Sequence, residues 1–146
     1  MSLGTITGTI ERINTPRNRP SLTILTLLCT AGAAGDANAH LYPATIINAV
    51  SGISDYDLRG LKLYSIVTIP GTTPPTDNSD ITITDRYGAD VLAGAGADIV
   101  DHTAINRVVF NPDTAAVIIT GDLTLNITNN TTASAVTTVV LELIGI

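Results

Sequence analysis

The stretch of this 146-residue chain richest in reactive side chains is SDITITDRYGADVLAGAGADIVD, residues 79–101, which sets Asp80, Asp85, Asp90 and Asp98 among alternating glycine and alanine. Three chemistries are open to it: a phosphate cradle, a cation site, or acid–base catalysis by paired carboxylates. A dinucleotide fingerprint needs a third glycine and a helix whose N-terminus faces the pyrophosphate. Here Gly94-Ala95-Gly96 runs into Ala97, Asp98 and Ile99 with no helical period behind it. The two glycines are therefore expected to serve a close backbone approach, a bulge, or tight packing between chains. Calcium asks for roughly six to eight oxygens. Asp77, Asn78, Asp80 and Asp85 supply only some of them, and the D-x-D-x-D-G spacing is missing. A glycosidase needs two carboxylates at a set separation and usually aromatic platforms. Tyr42, Tyr56, Tyr64, Tyr87 and Phe110 are the whole aromatic supply. Aspartates among turn residues commonly hold their own backbone, and that is the role expected of these.

The other reactive types give no constellation. His40 and His102 are far apart, and neither neighbours a cysteine. The SGIS at 51–54 lacks the G-x-S-x-G elbow of a serine hydrolase. Cys29, the lone cysteine, lies in the apolar run LTILTLLCT and reads as a buried, inert thiol. No catalytic residue, metal ligand or cofactor is assigned, and the chain is not expected to be an enzyme.

The elements that carry these residues are written in period two. Threonine and isoleucine, 23 and 18 residues, are β-branched types that suit a pleated surface. Of the acids, 11 are aspartate and 2 glutamate, which favours turns over helix faces. Alternation places Leu123, Leu125 and Ile127 of DLTLNITN inward, and likewise Ile81 and Ile83 of DITITD, and Ile6, Gly8 and Ile10 near the N-terminus. In LKLYSIVTIP it predicts Leu61, Leu63, Val67 and Ile69 on one face. PSLTILTLLCT and TTVVLELIGI are apolar on both sides, as central or interface strands are. Turn-rich separators between at least seven such strands predict an all-β, antiparallel β-sandwich, jelly-roll-like, with little or no helix. The one helical turn expected is SDYDLRG, residues 54–60.

Only 14% of residues are charged, against about 25% in ordinary soluble domains. Some of the surface is accordingly expected to be covered by other subunits. The net charge of −6 disfavours nucleic acid, whose binding rests on lysine and arginine displacing counterions. No apolar run approaches the ~20 residues of a membrane span, and MSLGTITGTIERI lacks the charged start and apolar stretch of a secretory signal. The N-x-T sequons at Asn126, Asn129 and Asn130 are therefore not expected to carry sugar. Arg12, Arg17 and Arg19, half of the arginines, cluster beside prolines 16 and 20. Residues 1–20 thus read as an N-terminal strand and a basic arm able to dock on an acidic partner, and 21–146 as the sandwich.

Several motifs resemble small virion-associated structural proteins of tailed bacteriophages: Pro75-Thr76-Asp77, the strand from Asp80 to Asp85, the segment from Gly88 to Ala97, the strand from Gly121 to Asn126, and the valine-rich last strand with Val139 to Leu143. The likeness covers about half of the chain, with Ser79 where a tyrosine is common and no aromatic near the C-terminus. It implies a head-decoration or cement protein, a homotrimer on the outer surface of the capsid. Its partners would be copies of itself and the major capsid protein, with no nucleic acid and no membrane, and Arg12, Arg17 and Arg19 are its candidate capsid contacts. The rival implication is a tail or tailspike-associated sandwich that binds a host surface glycan, and a phage polysaccharide hydrolase is a further alternative.

Overall fold

A computed structural model describes residues 4–13, 16–17, 21–110 and 117–145. The fold is all-β and sandwich-like, two antiparallel sheets with their inner faces together. Eight strands are found among the described residues: β1 Thr5–Ile13, β2 Leu22–Thr30, β3 Thr45–Ile46, β4 Lys62–Pro70, β5 Asp80–Thr84, β6 Asn106–Val109, β7 Thr124–Thr128 and β8 Val136–Ile144. The larger sheet has the order β1-β2-β8-β4-β6, and the smaller β3-β7-β5. The two strands apolar on both sides, β2 and β8, lie side by side within the larger sheet.

One core fills the space between the sheets. Leu25, Leu27, Val139, Leu141 and Leu143 from the larger sheet meet Ile81, Ile83, Leu125 and Ile127 from the smaller. Ile6 and Ile10 of β1 pack against the same cluster. β1 pairs with β2 from Thr5 to Ile13, so Arg12 sits in a sheet strand opposite Thr23, and not in an extended arm. Pro16 and Arg17 lie beyond that strand, and Arg19 falls outside the described residues.

Helix is confined to two short turns among the described residues. A 3-10 turn spans Ile47–Ala49, and α1 spans Asp55–Leu58 within the SDYDLRG segment. Ser54 starts α1, its backbone N–H and hydroxyl both donating to Asp57 Oδ2 at 2.9 and 3.1 Å. Leu58 closes it by complete burial.

The alternation expected of β4 breaks at one point. Its register against β8 shifts between Leu63 and Ser65, a β-bulge that adds one residue and reverses the phase of the strand beyond it. Leu63 and then Ile66 face the core, while Ser65, Val67 and Ile69 fall on the outer face with Glu142, Val140 and Thr138. Val67 and Ile69 are thus not on the face of Leu63, as simple alternation has it.

Candidate functional site

The 85–100 segment lies along β5 as a covering loop. Ile81 N–H donates to Gly96 O at 2.9 Å, Val91 N–H to Ile83 O at 2.7 Å, and Val100 N–H to Ser79 O at 3.1 Å. Gly96 passes so close that a Cβ there would overlap the carbonyl oxygen of Ile81. Gly94 turns the chain at φ +83°, with no neighbour near its missing side chain. Gly96 thus serves the close backbone approach expected of the GAGAD glycines, and Gly94 a positive-φ turn.

The aspartates hold this loop in place. Asp90 accepts from the N–H groups of Ile83 and Leu92 through Oδ1, both at 3.1 Å, and from Gly94 N–H through Oδ2 at 3.0 Å. Asp85 Oδ1 accepts from Tyr87 and Ala89 N–H at 2.9 and 3.1 Å. Asp80 takes Asp98 N–H on Oδ1 at 2.7 Å and the Asn129 amide on Oδ2. Asp98 is itself an exposed turn residue at φ 54°. Asp101 Oδ1 accepts from Thr103 N–H, Thr103 Oγ1 and Ala104 N–H at 2.8, 3.0 and 2.9 Å. Each of Asp80, Asp85 and Asp90 is directed at backbone or amide donors.

One mixed cluster was not legible in the sequence. Potential ligand atoms of Asp77, Asp101 and His102 lie within 4.8 Å of one another, and His102 Nδ1 is 3.5 Å from Asp77 Oδ1. All three are at least partly exposed, and Asp101 already serves three donors through one oxygen. Of the acidic set weighed as calcium ligands, only Asp77 belongs to it. His40 occupies a turn at φ 62°, and its carbonyl accepts from the side chain of Asn130.

Cys29 is fully buried, and desolvation pushes its thiol up to about 12, so it stays protonated and unreactive while folded. Burial likewise raises Tyr42, whose hydroxyl donates to Ala135 O at 3.1 Å. Two carboxyls move the other way. Asp57 is held below its ordinary 3.8, first by the Ser54 N–H and then by the Ser54 hydroxyl and Arg12. Asp101 is lowered by the Thr103 and Ala104 N–H groups. A depressed folded-state pKa stabilises above the unfolded value and loses that effect as pH falls through the folded one. The melting temperature is expected to be level from neutrality to about pH 5 and to fall below about pH 4. Thermal scans across that range check it, and a rise on acidification would contradict it.

The candidate arginines divide. Arg12 forms an ion pair with Asp57, which ties the end of β1 to α1, while Arg17 is exposed. Arg59, absent from the sequence-based set, pairs with Asp55 one turn earlier. Between them Tyr56 stands 97% exposed at a surface concavity of about 310 Å³, lined also by Ile13, Leu22, Thr23 and Leu61. Local sequence could have brought in Tyr56 and Arg59, since both lie in the one predicted helical turn. Their nearness to Arg12, 45 residues from Asp57, needed the fold.

No family model matches the chain, and no curated protein or solved structure matches it.

Proposed function

We propose that this chain is a non-enzymatic structural protein of a tailed-bacteriophage head, seated on the outer capsid surface, where it fastens neighbouring shell subunits. The observation that carries this reading is the end of the sandwich at which exposed Tyr56 stands between Arg12 and Arg59. Tyrosine and arginine dominate the energetic centres of protein interfaces, because each offers a large contact area together with directional donors. The guanidinium groups of Arg12 and Arg59 are 59% and 63% exposed at the side chain, so a partner's carboxylates can reach them. The aspartates that a hydrolase reading would use are turned to backbone donors, which favours a mechanical role. A protein that binds the closed lattice and not loose subunits stabilises the lattice by mass action. Many weakly held copies, repeated by the shell's symmetry, multiply the effect through effective concentration.

The test is cosedimentation of the purified chain with DNA-free heads. The double variant Tyr56→Ala/Arg59→Ala is expected to retain its β circular dichroism and to lose at least about tenfold in apparent affinity, as removing two interface anchors does. Unchanged binding would refute this end as the contact. A copy number in purified virions far below that of the shell subunit would refute the head reading itself.

A further inference from the structure

We propose that Asp77, Asp101 and His102 form a binding site for a divalent cation of the zinc class, with a fourth position open to water or another oxygen donor. A buried bridge brings the three together. Ser79 and Val100, both buried, pair as an isolated antiparallel bridge in which Val100 N–H donates to Ser79 O at 3.1 Å. Asp77 stands two residues before one side of that bridge, and Asp101 and His102 directly follow the other. The Asp77 side is tied down in turn. Ser79 Oγ donates to Thr76 O at 2.6 Å, and Thr76 N–H donates to Asn130 Oδ1 at 2.9 Å.

Bonding inside the cluster leaves ligand atoms over. Asp80, Asp85 and Asp90 are directed at backbone or amide donors, whereas the Asp77 carboxylate accepts no hydrogen bond among the described residues and has His102 as its neighbour. Asp101 takes its three bonds on Oδ1 alone, which orients the carboxylate and leaves Oδ2 without a partner among the described residues. The 3.5 Å from His102 Nδ1 to Asp77 Oδ1 is too long for a good hydrogen bond, and an ion pair between side chains 52% and 46% exposed contributes little stability. It is the spacing of two ligands on one metal. With Zn–N and Zn–O bonds of about 2.0–2.2 Å, neighbouring corners of a tetrahedron stand about 3.3–3.6 Å apart. Ligand atoms of all three residues lie within 4.8 Å of one another, and rotation of the exposed Asp77 and His102 side chains closes what remains.

The donor set names the ion. Two carboxylates and an imidazole suit zinc and its first-row neighbours. Calcium prefers roughly six to eight oxygens, and an imidazole supplies none. The two carboxylates repel each other across so short a gap, and a dication between them removes that repulsion. Asp77 and His102 also line a concavity of about 530 Å³ with Thr73, Pro74, Thr131 and Thr132, which gives an ion access and leaves room for a fourth ligand. None of these residues takes part in the proposed shell contact, so the site stands apart from that reading.

Isothermal titration calorimetry of the full, untagged chain with zinc chloride at neutral pH is expected to show one bound ion with a dissociation constant below about 100 μM. A weaker constant, or no binding, would overturn the proposal. Calcium chloride is expected to bind at least about tenfold more weakly, and calcium binding as tight as zinc would show that the imidazole is no ligand. His102→Ala and Asp77→Asn, each removing a ligand, are expected to weaken zinc binding at least about tenfold, while His40→Ala leaves it unchanged. Unaltered binding in the first two would place the zinc elsewhere and refute the site. Should a variant fold poorly, labelling of the unaltered chain with diethyl pyrocarbonate, read by mass spectrometry, decides the matter. Zinc is expected to shield His102 and not His40, and equal labelling of His102 with and without zinc would refute the proposal. Shell binding by a chain that takes no zinc would remove this inference and leave the proposed function standing, and zinc binding without shell affinity would do the reverse.

Discussion

Asn130→Ala is expected to lower the free energy of unfolding by about 4 kcal/mol, a large share of the ~5–15 kcal/mol that holds a typical domain. Asn130 is only 6% exposed, and its side chain joins three loop segments. Nδ2 donates to His40 O at 2.8 Å and to Thr132 O at 3.0 Å, while Oδ1 accepts from Thr76 N–H at 2.9 Å and Thr132 N–H at 3.2 Å. Alanine would leave those backbone groups without this partner, at about 1–3 kcal/mol per buried group. Asn130→Asp gives a sharper test, because it keeps the shape and turns two donors into an acceptor facing two carbonyl oxygens. Burial and those carbonyls favour the neutral acid, so its folded pKa rises and its penalty grows as pH increases above the unfolded value. Relative to the parent chain, the aspartate variant should therefore regain stability on acidification, opposite in sign to the trend expected from Asp57 and Asp101. Urea unfolding at neutral pH and near pH 4.5 would measure both. A loss under about 1 kcal/mol for the alanine variant would mean that the three loops are held by something else.

Gly96→Ala is the second large effect, expected to remove about 3 kcal/mol and to lower the melting temperature by roughly 10 °C for a chain of this size. The added methyl would collide with the Ile81 carbonyl, a backbone atom of a buried strand that cannot swing aside as a side chain can. Relief would require the 85–100 loop to lift from β5, breaking the Ile81 N–H to Gly96 O bond. Gly94→Ala is the control. It meets nothing, and it bears only the cost of its positive φ, on the order of 1 kcal/mol. Differential scanning calorimetry of the two variants would separate close approach from backbone strain. Equal losses would show that the contact at Gly96 is not what fixes the loop.

Both effects bear on how much of the molecule is legible in its sequence. That GAGAD serves close packing follows from two glycines without a helix behind them, and the structure places Gly96 against β5 as that reading requires. That aspartates among turn residues hold backbone was also legible, because a short carboxylate reaches N–H groups two to four residues away. The ties of Asp85, of Asp101, and of Asp90 to Leu92 and Gly94 are of that local kind. Asn130 reads in the sequence only as part of a sequon. Its partners, His40 and Thr76, are 90 and 54 residues distant, and nothing in its immediate sequence marks it as a buried pin. The same limit applies to Arg12, whose place in a strand depends on pairing with β2 and whose partner Asp57 arrives on α1.

The sequence by itself determined the strand content, the inward residues of β5 and β7, the both-face-apolar centre of the larger sheet and the single helical turn at 55–58. These rest on side-chain alternation and turn chemistry, which act over a few residues. Only the tertiary structure decided the phase of β4 beyond its bulge, since that depends on which residues of β8 and β6 lie opposite it. By turning Ser65, Val67 and Ile69 outward, the bulge sets Ser65 beneath Arg107 and Glu142 and completes the outer face. A period-two pattern fixes that side chains alternate. Pairing between distant strands fixes which of the two faces they alternate onto.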